Sequence, residues 1–210
     1  MKLIYVYDVL CGWCYGFSPV IEKFATIYKN EFEVEVISGG MITGERIGPI
    51  GEVASYISTA YKNVEDTTGV KFGKEFLDKI LKTGTSIFTS IPSAIALSII
   101  KSKISEQSLA FATALQKGIY FDGIEPNNLE EYAKIAQKFG LDKLEFLDDM
   151  KNKNYQLLAE IDFKKSQNLK VSGFPSIFLE VENQYYKIAS GFTSFENLEK
   201  TFLQIKNKIN

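Results

Sequence analysis

The sequence predicts a split α/β fold: a β-α-β unit, a large all-helical block, then a β-β-α unit. Three observations carry this. A short β-branched and aromatic run, Lys2 to Tyr7, opens the chain. Helical periodicity then persists from about Thr43 to Leu169 with no convincing strand. Strand patterning returns only after Val171, Ser172 and Gly173.

The run at Lys2 to Tyr7 is nearly continuous in apolar character, which suits a central strand buried on both faces. From Trp13 to Tyr28, Phe17, Val20, Ile21, Phe24 and Ile27 recur at helical spacing, with Pro19 as a candidate kink. Glu31 to Ile37 alternates Phe32, Val34 and Val36 with glutamates, a half-buried strand that stops at Gly39 and Gly40. In the helical block, Ile50, Val53, Ile57 and Tyr61 mark one helix, and Phe72, Phe76, Leu77 and Ile80 another that ends near Gly84. A third starts at Pro92 and is apolar on most sides, so it is expected to be buried. Leu109, Ala112, Leu115 and Ile119 give a fourth. Asn127 with Glu130, and Asp142 with Glu145, read as capping boxes for two more, separated by Gly140. A last helix, Asn154 to Gln167, is expected to turn Leu157, Leu158 and Ile161 inward. Ser176 to Val181 and Tyr185 to Ala189 then form a hairpin, and Ser194 caps a final helix through Leu198, Phe202 and Ile205. The domain expectation is a discontinuous α/β unit, residues 1–42 and 170–210, with residues 43–169 as a helical insertion domain.

Composition narrows the function. With 24 Lys and Arg against 26 Asp and Glu, the net charge of -2 offers no basic face for nucleic acid. No apolar run approaches the roughly eighteen residues that would mark a membrane span. Asp8 interrupts the N-terminal apolar stretch and no cleavage site follows, so no signal peptide is read and a cytoplasmic protein is expected. There is no histidine, which removes Ser-His, Cys-His and histidine-ligated metal mechanisms. Neither a metal nor a cofactor is expected.

The two cysteines form Cys11-Gly12-Trp13-Cys14 where the first strand gives way to the first helix. At a helix start this spacing brings two sulfurs within disulfide reach, and the unpaired amides and positive dipole end favour a thiolate at the first. Cys11 is the expected nucleophile and Cys14 the resolving thiol. Half a zinc site and two incidental buried cysteines are the alternatives, and both are weaker because no further ligand set accompanies the pair. Trp13 reads as a substrate contact or a packed ring, and Asp8 as a proton acceptor or, by preference, a cap or solvated acid.

Asp8-Val9-Leu10-Cys11-Gly12-Trp13-Cys14-Tyr15-Gly16-Phe17 together with Val171-Ser172-Gly173-Phe174-Pro175-Ser176 resembles the DsbA-like thioredoxin-fold family, in particular its FrnE-like, cytoplasmic protein-disulfide isomerase-like branch. The resemblance spans essentially the whole chain. It implies a thioredoxin-like fold with a helical insertion, catalysis by Cys11, Cys14 and Pro175, and substrate binding by Gly12, Trp13 and Phe174. It also implies that Pro175 is a cis-proline facing the redox pair, with Gly173 allowing close approach and Phe174 offering backbone groups to an added substrate strand. Expected partners are protein or small-molecule disulfides and thiols, with glutathione or thioredoxin as recycling reductant, and neither nucleic acid nor membrane. Gly12-Trp13 stands where strongly oxidising members place a histidine, so an extreme oxidant role does not carry over. Competing readings are a glutathione-dependent transferase or isomerase of the kappa or hydroxychromene-carboxylate isomerase type, and a binding module or chaperone with a groove of Trp13, Phe17, Phe174 and Met41.

Overall fold

The computed structural model describes residues 1–209. Strand β1 (Lys2–Tyr7) leads through a tight turn into α1 (Gly12–Ile27), which returns to β2 (Glu33–Ser38), parallel to β1. Pro19 lies inside α1 without ending it. A proline cannot donate to the carbonyl four residues back. Here the Ser18 hydroxyl donates to that carbonyl, on Tyr15, at 2.8 Å.

The block that follows is helical, with one correction. Gly48–Pro49 (β3) pairs antiparallel with Ile87–Phe88 (β4), a two-residue ribbon too short to leave an alternation signal. Between them lie α2 (Ala54–Thr68) and a π-helical segment, Phe76–Leu81, whose wider turn is closed by Lys82 N–H donating to Leu77 O at 3.0 Å. Then come α3 (Ile91–Lys103), α4 (Ser108–Tyr120), α5 (Leu129–Lys138), α6 (Lys143–Asp149) and α7 (Lys153–Asn168). As expected, α3 is buried over Ser93 to Ile100. Asp142 caps α6, accepting from the Leu144 and Glu145 amides. The cap of α5 is Asn128, accepting from Glu131 N–H, one residue beyond the expected Asn127. The same spacing recurs at both positions, so the pattern alone does not separate them.

The inward face of α7 is the larger correction. Leu157 is 55% exposed and Ile161 55%, while Ala159, Asp162 and Ser166 are buried. Asp162 accepts from the Ser38 amide at 3.1 Å and from Lys101 Nζ at 2.7 and 2.9 Å. An ion pair and small side chains set this helix against α3 and β2, and its leucines face outward.

Strands β5 (Ser176–Val181) and β6 (Gln184–Ser190) form the expected hairpin, and α8 (Phe195–Ile209) closes the chain, with Ser194 Oγ accepting from the Asn197 amide. The sheet order is β2-β1-β5-β6, so β1 is internal and its residues 3–7 are buried on both faces. On one face Leu3, Tyr5 and Tyr7 join a cluster running through Phe17 and Phe24 of α1 to Phe202 of α8 and Phe111 of α4. On the other, Ile4, Val6, Ile37 and Phe178 form a smaller cluster with Leu169, Val171 and Phe174 against it. Both clusters reach the end of β1 from which α1 departs. Among the described residues no helix is long and apolar enough to cross a membrane.

Candidate active site

Four segments converge at the start of α1: the β1–α1 turn, the loop after β2, the start of α3 and the loop before β5. Asp8 joins three of them. It is 2% exposed, and its carboxylate accepts from the Leu10 amide at 3.0 Å, the Ser90 hydroxyl at 2.9 Å and the Met41 amide at 2.8 Å. Its backbone carbonyl accepts from the Cys11 amide at 3.1 Å and from Gln116 Nε2 at 3.2 Å. Asp8 is therefore neither a solvated acid nor a helix cap, as expected from sequence, but a buried tie. Burial pushes its carboxyl above the ordinary range, and the donated hydrogen bonds oppose that push.

Cys11 caps α1 itself. Its backbone is extended (φ -93°, ψ 109°) and its sulfur accepts from the Cys14 amide at 3.2 Å, one of the otherwise unpaired donors of a helix start. The same sulfur donates to the Phe174 carbonyl at 3.6 Å. Cys14 lies one turn inward with no exposed surface, whereas Cys11 retains 7%. Burial first, and the neighbouring Cys11 second, push the Cys14 thiol well above its usual value.

The Phe174–Pro175 peptide is cis, and the loop lies against the pair through that Cys11–Phe174 contact. Close approach is made possible by Gly39 rather than Gly173. A Cβ on Gly39 would lie 2.1 Å from the Phe174 ring, while one on Gly173 would meet nothing within 4 Å. Gly39 N–H in turn donates to Tyr7 O at 2.7 Å, which holds this floor against β1.

Gly12 and Trp13 are half-buried beside the sulfurs, and the Trp13 ring packs on Phe192 at 6.1 Å between centroids. Trp13 is thus both packed and partly accessible. Phe17, expected to line a groove, has no exposed surface and belongs to the core; Met41 and Phe174 remain half-buried at the rim. The structure therefore gathers Cys11, Gly12, Trp13, Cys14, Phe174 and Pro175 in one place. It adds Ser90, Gln116, Gly39 and Phe192, which sequence reasoning missed. Ser90 stands just before the Pro92 helix start and Gln116 is a lone amide in the apolar stripe of α4, and those were the available signals. Among the described residues no three Cys, Asp or Glu side chains gather as a metal site.

A family model described as DSBA-like thioredoxin domain matches residues 2–203. Among solved structures, a candidate protein disulfide isomerase from Nitrosomonas europaea superposes with a TM-score of 0.87 at 22% identity, covering 100% of this chain and 98% of that one. The cytosolic disulfide reductase DsbM from Pseudomonas aeruginosa gives 0.80 at 23% identity over 100% of both chains. Its structure with GSH gives 0.77 at 21%, covering 100% of this chain and 99% of the other. At these identities the likeness is one of fold. Nothing among the curated proteins matches the sequence.

Proposed function

The chain belongs to the DSBA-like thioredoxin domain family, and from that premise we propose that it catalyses thiol-disulfide exchange through Cys11 and Cys14, opposite the Phe174–Pro175 loop. The observation that carries the reading is the placement of Cys11 as the cap of α1, its sulfur met by the Cys14 amide and bordered by the Phe174 carbonyl. An amide at that position solvates a thiolate, and the rim position of Cys11 leaves it open to a substrate sulfur. Attack by the Cys11 thiolate on a disulfide forms a mixed disulfide and releases one substrate thiol. Cys14 then attacks Cys11, the Cys11–Cys14 bond forms and the second thiol leaves.

In this reading Gly12 and Trp13 contact substrate beside Cys11, and Phe174 offers backbone groups to an extended segment. Residues 1–42 and 170–210 form the catalytic unit, and the helical insertion, residues 43–169, shapes approach to it. Substrates are protein or small-molecule disulfides, and glutathione or thioredoxin returns the pair to its reduced form. A cytoplasmic setting and net reduction or isomerisation agree with the absence of a histidine between the cysteines. They agree also with the cytosolic reductase DsbM as a fold neighbour.

Reduction of insulin by dithiothreitol or glutathione tests the proposal. The wild-type protein accelerates precipitation of the B chain, and Cys11→Ser falls to the uncatalysed rate. Equal rates for the two proteins refute it.

A further inference from the structure

Gln116 stands on α4 with no exposed surface, among the buried Ala112, Leu115, Ile119 and Tyr120. Among the described residues no other asparagine or glutamine side chain is buried. Only half of its amide is satisfied. Nε2 donates to the Asp8 backbone carbonyl at 3.2 Å, while Oε1 is buried with no partner among the described residues. One neutral hydrogen bond contributes less to stability than an orphaned buried acceptor costs. An apolar side chain of the same length would fold at least as well, so stability does not account for the amide.

The carbonyl it holds is the one that seats the proposed nucleophile. Asp8 O also accepts from the Cys11 amide at 3.1 Å, closing the turn between β1 and α1. That turn leads into the extended backbone of Cys11 (φ -93°, ψ 109°), which brings its sulfur to the Cys14 amide at 3.2 Å. The Asp8 carboxylate ties the turn to Met41 after β2 and to Ser90 before α3. Gln116 ties the backbone of the same turn to α4.

Resting on the exchange activity proposed above, we infer that Gln116 is a positioning residue for Cys11: by holding the Asp8 carbonyl it keeps the Cys11 sulfur on the Cys14 amide. Without it, that peptide unit loses one of its two donors, the Cys11 turn loosens, and the sulfur spends less time on the amide that solvates its thiolate. A second effect has the same sign. The Nε2 donor offsets the negative end of a carbonyl that sits 3.1 Å from the Cys11 nitrogen, and an unshielded oxygen there disfavours a nearby anion. Gln116 touches neither sulfur nor substrate, and no proton passes through it.

The test compares Gln116→Met, which keeps the length and removes the donor, with Gln116→Glu, whose acid is kept protonated by burial at pH 6 and can still donate to Asp8 O. In a Cys14→Ser background, which retains the amide at position 14, the rate of Cys11 alkylation by iodoacetamide is followed from pH 5 to pH 9. Over this range burial keeps the phenols of Tyr5 and Tyr120 neutral, and Asp8 is common to every protein compared. Gln116→Met slows alkylation at pH 6 by about fivefold, a fraction of one charge-assisted hydrogen bond, and the rates converge at high pH where the thiol is ionised in both. At pH 6 Gln116→Glu keeps the wild-type rate. Urea unfolding finds Gln116→Met no less stable than its parent. An unmoved profile in Gln116→Met overturns the inference, as does equal slowing in both variants, which assigns the effect to packing. A Gln116→Met protein that does not fold also overturns it, because the amide is then a structural necessity. Alkylation needs no disulfide exchange, so a displaced profile in a protein that fails to reduce insulin upholds the positioning and refutes the proposed activity alone.

Discussion

Helices α1 and α7 are each sixteen residues long and each packs beside β2 or the sheet it belongs to, yet they are held by different physics. α1 buries Phe17, Ile21 and Phe24 in one aromatic cluster, and the same burial carries Cys14 inward while Cys11 stays at the rim. α7 buries Ala159, Asp162 and Ser166 and leaves its leucines outside. Where a helix is placed by apolar surface, its sequence period reports its inner face. Where it is placed by a charge pair and small residues, the period reports the wrong one. For the site, this means that the helix carrying the chemistry is the one anchored by the non-directional force, with its polar ties gathered at a single end.

Removing the apolar anchor gives the largest effect. Phe24 has no exposed surface and lies 4.9 to 5.7 Å, centroid to centroid, from Tyr28, Phe32 and Phe202. Phe24→Ala should destabilise the protein by about 3 to 5 kcal/mol in urea unfolding. The equivalent cut for α7 is Lys101→Met, which leaves Asp162 a buried carboxylate without its cation. About 3 kcal/mol is expected, the lower end of the cost of orphaning a buried charge because Lys101 is partly exposed. A loss under about 0.5 kcal/mol would mean that shape alone seats α7.

A smaller, pH-dependent effect is expected at the ties of α1. Because the Asp8 carboxyl is raised in the folded protein, the unfolded chain loses this proton first as pH rises. Below the ordinary carboxylate range Asp8 is protonated in both states and contributes no slope. Above that range, and up to the raised value, wild-type stability declines relative to Asp8→Asn. Loss of an acceptor in the variant adds only a constant offset. The measurement is the stability difference between the two proteins across pH; a difference that is flat, or that grows in favour of the wild type with pH, contradicts the assignment. The groups facing Asp8, namely Cys14, Tyr7, Tyr120 and Tyr132, are neutral over this window, each with its own ionisation pushed upward by burial. Smallest of all is Leu157→Ser on the outer face of α7, with a change within about 0.5 kcal/mol. A loss of 2 kcal/mol or more would restore the inward reading of that leucine.

Much of the architecture was legible. The first strand, its helix and the hairpin announce themselves through uninterrupted apolar runs, alternation and turn residues, because their positions are fixed by burial. The β3–β4 ribbon was not, since two residues per strand carry no period. The outer face of α7 was misread because the partner of Asp162, Lys101, lies on another helix. At the site, Cys11 and Cys14 could be marked by residue type and spacing, and Pro175 only through the resemblance of its loop to the family. Ser90 and Gln116 could not, since their partner Asp8 lies 82 and 108 residues away in the chain.

The most direct test of the central claim is to trap the intermediate. Cys14→Ser, incubated with an excess of glutathione disulfide and digested under acid conditions, is examined by mass spectrometry. The account predicts stoichiometric addition of one glutathione, located on Cys11, persisting because the resolving thiol is gone, while Cys11→Ser gains little on Cys14. Adduct confined to Cys14 in Cys11→Ser, with Cys11 left unmodified in Cys14→Ser, would contradict it.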